Sequence, residues 1–134
     1  MARIDAVRAD LDKESKGVWV PYELGIELKV ARLGNPGYQE SLVKLTDARK
    51  ALMGSIELSQ DQRMDVQKEA VARTVLMDWR GIEDDQGNPV PFSPDKALEW
   101  FRDPELWRLY TFVLMVGLEE ERFRKTVLEA AAKN

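Results

Sequence analysis

Alternation with a period of two opens the readable part of the chain. Val18, Val20 and Tyr22 alternate with Trp19, Pro21 and Glu23, and Ile26, Leu28 and Val30 alternate with Glu27, Lys29 and Ala31. This pattern on both sides of Leu24-Gly25 predicts a β-hairpin. Pro21 has no N–H to give to a ladder, so it belongs on an edge or facing outward. Upstream, residues 1–16 are polar with Ile4, Val7 and Leu11 spaced as a weak amphipathic helix or a mobile arm. Trp19 falls on the hairpin's polar face, where two readings stay open: cover by the N-terminal arm, or an exposed contact.

Beyond the hairpin the period changes to that of a helix. Asn35-Pro36 supplies an N-cap and a proline at the first helical position, followed by Tyr38, Leu42, Leu45 and Leu52 up to Gly54. Ser59 and Gln62 have capping-box spacing, and the helix behind them is expected to run to about Trp79, with Met64, Val71, Val75 and Trp79 on one side. Ser93-Pro94 opens a short helix carrying Ala97, Leu98 and Phe101. Asp103-Pro104 opens a last helix expected to run nearly to the C-terminus. No repeat, low-complexity linker or domain boundary interrupts residues 1–134. The predicted fold is α+β and mainly α: one helical domain with an N-terminal β-hairpin and a second short hairpin between helices.

That second hairpin is predicted from VLMDWRGIEDDQGNPVPFSP, residues 75–94, where Asp78, Glu83, Asp84 and Asp85 crowd around two glycines. Three readings compete. A calcium loop of the EF-hand type needs a glycine at the sixth position and a glutamate at the twelfth, and with Gly87 sixth the twelfth residue is Ser93. A catalytic carboxylate needs a cleft and a partner group, which nothing local supplies. The turn reading uses most of the residues. Asp85-Gln86-Gly87-Asn88 has tight-turn chemistry, and Pro89 and Pro91 hold the returning segment extended. Trp79 and Trp100 flank this hairpin and are expected to be core anchors.

Composition narrows the chemistry. The chain has 44 % apolar and 33 % charged residues, which describes a globular protein. A formal charge of −4 without a basic stripe argues against nucleic acid as a partner. There is no cysteine and no histidine. Ser-His-Asp and Cys-His catalysis and thiolate zinc sites are thereby excluded. The longest apolar run, Leu109 to Leu118, is too short for a bilayer, and the N-terminus has no apolar signal core. No cofactor, metal or membrane is expected, and the reading is non-enzymatic.

On the last helix, Leu106, Leu109, Tyr110, Val113, Val116, Val127 and Leu128 share a broad face expected to be core. Trp107, Leu114 and Leu118 share a second face, flanked by Met115 and accompanied by Phe112. A second apolar side means either central burial or an interface. Those five residues are the candidate partner-binding set, because methionine and aromatic side chains suit a groove for varied apolar helices.

Two stretches carry a family resemblance. A helix ending in Trp79 is followed by Gly81, Ile82, Asp84, Gly87, Pro89, Val90, Pro91, Phe92 and Ser93. Upstream lies VWVPYELGIELKVARLGNPGYQESLVKL. Together, across about residues 18–101, they resemble the tail assembly chaperones of long-tailed double-stranded DNA phages. The resemblance implies a protein that binds the tape measure protein and keeps it soluble while tail tube protein assembles around it. It also implies residence in the host cytoplasm, absence from the mature virion, and for many such chaperones a longer form made by programmed frameshift. Ala132-Lys133-Asn134 can be encoded with the slippery heptamer A-AAA-AAC, although synonymous codons would destroy it. Homo-oligomerisation fits a chaperone for a long chain. The alternative is a small virion structural protein, a head–tail connector or tail completion subunit. A carboxylate hydrolase using Asp84 or Asp85 and an acidic DNA mimic are weaker rivals.

Overall fold

The chain forms three short strands and four main helices, and the helices start where the capping signals place them. The structure is a computed structural model that describes residues 1–125. The hairpin pairs β1 (Val18–Pro21) with β2 (Glu27–Val30) in antiparallel register, Val20 opposite Leu28. Pro21 is exposed on β1, which is an edge strand. Helix α2 (Pro36–Met53) starts at Asn35, whose side chain accepts from the Tyr38 N–H, and stops at Gly54 in the left-handed conformation. Helix α3 (Gln60–Thr74) starts with the complete Ser59–Gln62 capping box. Ser93 caps α4 (Pro94–Arg102), and Asp103 caps a single 3-10 turn that leads into α5 (Trp107–Gly117). The fold is α+β and mainly α.

One strand is new relative to the sequence pattern. The α3 helix ends at Thr74, and Leu76–Arg80 forms β3, pairing antiparallel with β2 to complete a three-stranded sheet in the order β1-β2-β3. Leu28 faces Trp79 and Val30 faces Leu76, with a register shift between Lys29 and Val30. Regular alternation would put Leu76 and Trp79 on opposite faces. The irregularity accommodates one extra residue on β3, and both side chains are buried. The spacing of four from Val71 to Val75 to Trp79 is what makes the segment read as a helix. Met64, assigned to the same stripe, is instead half exposed at 50 %.

The last helix is also shorter than expected. It ends at Gly117, whose carbonyl accepts from the Leu33 N–H at 2.8 Å. The chain then makes a 3-10 turn over Glu120–Phe123 that buries Phe123. Leu109, Val113 and Val116 are core as expected, Tyr110 is half-buried and Leu106 is exposed. Val127, Leu128 and the Ala132-Lys133-Asn134 terminus lie outside the described residues. The N-terminal arm is held by this turn: Asp10 N–H donates to the Phe123 carbonyl at 2.7 Å, and Asp10 caps the short helix α1 (Leu11–Lys16). Ile4, Val7 and Leu11, the residues of the amphipathic spacing, are exposed rather than turned to the core.

The core lies between the inner face of the sheet and α3, α4 and α5, through Leu28, Val71, Trp79, Phe101 and Val113. Asp65 of α3 ties three helices together. It accepts from Arg102 of α4 at 2.8 Å through two nitrogens and from Arg49 of α2 at 3.1 Å.

Candidate functional site

The tip of the first hairpin is built in an unusual way. Ile26 N–H donates to the Glu23 carbonyl at 2.9 Å, closing a turn whose central residues Leu24 and Gly25 have φ of 55° and 82°. Two positive φ values in succession define a type I′ turn, where Asn-Gly is the favoured pair. A leucine in the left-handed region costs about 1–2 kcal/mol because its Cβ crowds the following carbonyl. Leu24 gains nothing in return by burial, since it is 98 % exposed.

The tip stands beside α5. Tyr22 packs against Phe112 with ring centroids 4.8 Å apart. Glu23 forms an ion pair with Arg108 of α5. Two adjoining clefts share Tyr22, Glu23 and Arg108. One, of about 260 Å3, continues along Trp107, Thr111, Phe112 and Met115. The other, of about 320 Å3, continues past Leu24 and Ile26 to Ile82, Trp100 and Leu106. The ion pair therefore lies between two parts of one largely apolar trough. Burial pushes the Tyr22 phenol above its ordinary range, reinforced by Glu23 and opposed by Arg108.

The five candidate residues separate on this geometry. Trp107 and Met115 line the trough and are exposed at 62 % and 59 %. Phe112 lines it too, half-buried under Tyr22. Leu118 is exposed, one residue beyond the end of α5 and outside the trough's lining. Leu114 is half-buried and packs against the core. Tyr22, Leu24, Arg108 and Ile82 belong to the same surface and were missed. The available signal was Leu24 itself, an apolar residue where a hairpin turn calls for asparagine.

The acidic loop after β3 is a turn. Gly87 N–H donates to the Asp84 carbonyl at 3.0 Å, and Val90 N–H returns to the Ile82 carbonyl at 3.0 Å. The Asp84 carboxylate accepts the N–H groups of Asn88 and Gln86, each at 2.9 Å. Those two donors, Asn88 first, hold its carboxyl below the usual range. Its oxygens thus organise their own loop. On the outer face of the sheet Trp19 has a third fate, neither arm-covered nor bare. The Arg80 guanidinium lies 4.0 Å from its ring centroid, with Arg80 also paired to Glu27 at 2.9 Å. Among the described residues no cluster of acidic residues is arranged to hold a metal ion, and no helix is long and apolar enough to cross a membrane.

The model of one protein family, described as YdaY prophage protein, matches residues 33–134, well over half of the chain. The matched span begins after β2 and takes in every helix from α2 onward. No curated protein and no solved structure matches the chain.

Proposed function

The chain belongs to the YdaY prophage protein family, and on that premise we propose that it is a non-enzymatic tail assembly chaperone. Its partner is the tape measure protein, a long helical chain with apolar stretches that must stay soluble while tail tube protein assembles around it. A phage origin and a mainly helical fold agree with this reading. The two stretches within residues 18–101 that resemble tail chaperones point to it specifically.

The observation that carries the proposal is the trough. Leu24 in one of the two adjoining clefts, and Trp107 and Met115 in the other, expose large apolar side chains. A contiguous apolar surface of this kind marks a partner site more often than an accident of composition. Binding would be driven by apolar burial, with Phe112 supporting the floor. A chain without histidine or cysteine fits a role without chemistry. The protein acts in the host cytoplasm, is absent from the mature virion, and works as a homo-oligomer or with a longer frameshifted form.

The test is co-expression with the tape measure protein of the same genome, followed by pull-down and a solubility assay. Retention and solubility of the tape measure protein support the proposal. Precipitation with nothing retained, together with recovery of this chain from purified particles, replaces it by the virion structural reading. The codons for Ala132, Lys133 and Asn134 decide the frameshift separately.

A further inference from the structure

The trough carries a charge pattern that specifies what it accepts. Gly81 lies against the tip of the first hairpin, so close that a Cβ there would sit 2.8 Å from the Gly25 carbonyl oxygen. The acidic turn therefore starts beside Leu24, and Ile82, its first residue, lines the trough. Glu83, Asp84 and Asp85 follow, all exposed, and Asp103 and Glu105 stand exposed at the start of α5, with Glu105 in the lining. None of these five acids has an ion-pair partner among the described residues. The cation that lines the trough, Arg108, is already paired with Glu23. One end of the apolar trough thus carries the unpaired Glu105 in its lining and passes at Ile82 into the acidic turn.

We infer that this trough receives an amphipathic helical segment of the partner whose apolar side chains are flanked by lysine or arginine, with Leu24 as a principal contact. This rests on the proposed function for the partner's class, a helical protein chain, and adds where it binds and which charge it carries. Two observations choose the occupant. A second copy docked through the same patch would set acid against acid across a two-fold axis, which opposes self-association here. Leu24 is held in a backbone conformation that asparagine or glycine would adopt with less strain, and it is almost fully exposed. Strain kept at an exposed apolar side chain favours contact over folding.

The experiment uses the full chain and two fluorescein-labelled designed helices with a leucine face, one flanked by lysines and one by glutamates, followed by fluorescence anisotropy. The lysine-flanked helix binds about tenfold or more tightly than the other, a preference that electrostatic complementarity supplies. It vanishes near 1 M salt, where the Debye length shrinks to about 3 Å. Leu24→Asn leaves the melting temperature equal or higher while weakening binding by about tenfold or more, as expected of a contact at the centre of an interface. Leu24→Gly is the second variant. Asp85→Asn with Glu105→Gln removes the preference for lysine and spares Asp84 and Asp103, whose carboxylates hold local backbone.

Equal binding of both helices overturns the inference, as does unaltered binding by Leu24→Asn. Dimers that Leu24→Asn abolishes, with no helix bound, overturn it in favour of a second copy. A tape measure protein kept soluble equally by Leu24→Asn removes its site from this trough and leaves the proposed function standing. A tape measure protein never retained, with lysine-flanked binding lost in Leu24→Asn, removes the proposed function and leaves the trough's selectivity standing.

Discussion

Trp79 of β3 and Trp100 of α4 stack with ring centroids 4.6 Å apart and planes 15° from parallel. Phe92 also meets Trp79, near-perpendicular at 4.9 Å, and the Trp79 indole N–H donates to the Val90 carbonyl at 2.8 Å. One side chain thus joins the sheet, the proline-rich return of the second hairpin, and α4. Trp79→Ala is expected to cost about 3–5 kcal/mol, as for other large buried aromatics. Trp79→Phe keeps most of the burial but leaves the Val90 carbonyl without its donor, at about 1–2 kcal/mol. Urea unfolding of both variants measures the two terms apart.

Two glycines with nearly the same backbone make a controlled pair. Gly81 has φ 83° and Gly87 has φ 80°. A Cβ on Gly81 would strike the Gly25 carbonyl oxygen at 2.8 Å, whereas one on Gly87 meets nothing within 4 Å. Gly87→Ala therefore pays the conformational term alone, about 1 kcal/mol. Gly81→Ala adds a clash with backbone and is expected to lose about 2–3 kcal/mol in total. Thermal melts of the two variants should differ in that order; equal shifts would show that the two hairpins do not abut.

Asn35 is 4 % exposed and uses both ends of its amide. Its Oδ1 accepts from the Tyr38 N–H at 3.0 Å, while Nδ2 donates to the carbonyls of Arg32 and Thr74 at 2.8 and 3.1 Å. Aspartate is an equally good N-cap in an exposed helix. Here Asn35→Asp turns a carboxylate toward two carbonyl oxygens and is expected to cost about 2–3 kcal/mol at neutral pH. The loss should shrink as the pH falls and the new carboxyl gains a proton to donate. A loss independent of pH would count against that explanation.

Acid should loosen the helices through Asp65. Hydrogen bonds from Arg102, and then from Arg49, hold its carboxyl below the ordinary value of 3.8, against an opposing effect of burial. A carboxyl depressed in the folded state contributes stability that is complete above its unfolded pKa and lost as the pH falls through the folded one. The contribution of Asp65 is therefore full above about pH 4 and disappears below it. Asp65→Asn should lower stability at neutral pH by about 1–2 kcal/mol, since the carboxylate is mostly shielded and bonded to two arginines. It should also flatten the acid limb of the stability curve. An unchanged acid limb would assign that limb to other carboxylates.

Local signals in the chain were enough for most boundaries. Asn35-Pro36, the Ser59–Gln62 box, Ser93-Pro94 and the left-handed Gly54 act within four residues, so their geometry is written in neighbouring side chains. The first hairpin was legible because its inner positions alternate strictly. Trp107 and Leu118 were legible as a face apart from Val113 and Val116 because helix periodicity alone separates them, while periodicity does not settle their exposure or that of Met115 beside them. The burial of Leu114 was not legible either, since whether a second helical face is covered depends on what packs beside it.

What tertiary structure decided is where distant segments meet. Strand β3 was hidden because Val71, Val75 and Trp79 are all buried at a spacing of four that imitates one helical stripe, and β2 supplies the partner that makes a strand of Leu76–Arg80. The last helix stops at Gly117, whose carbonyl goes to the Leu33 N–H, and only glycine lets Leu33 approach there, since a Cβ would lie 3.0 Å from the Leu33 Cβ. The trough exists because the Leu24 tip, Ile82 and α5 converge from separate parts of the sequence. A sequence fixes the conformations its neighbours can reach; the facing of one surface on another depends on the whole chain having packed.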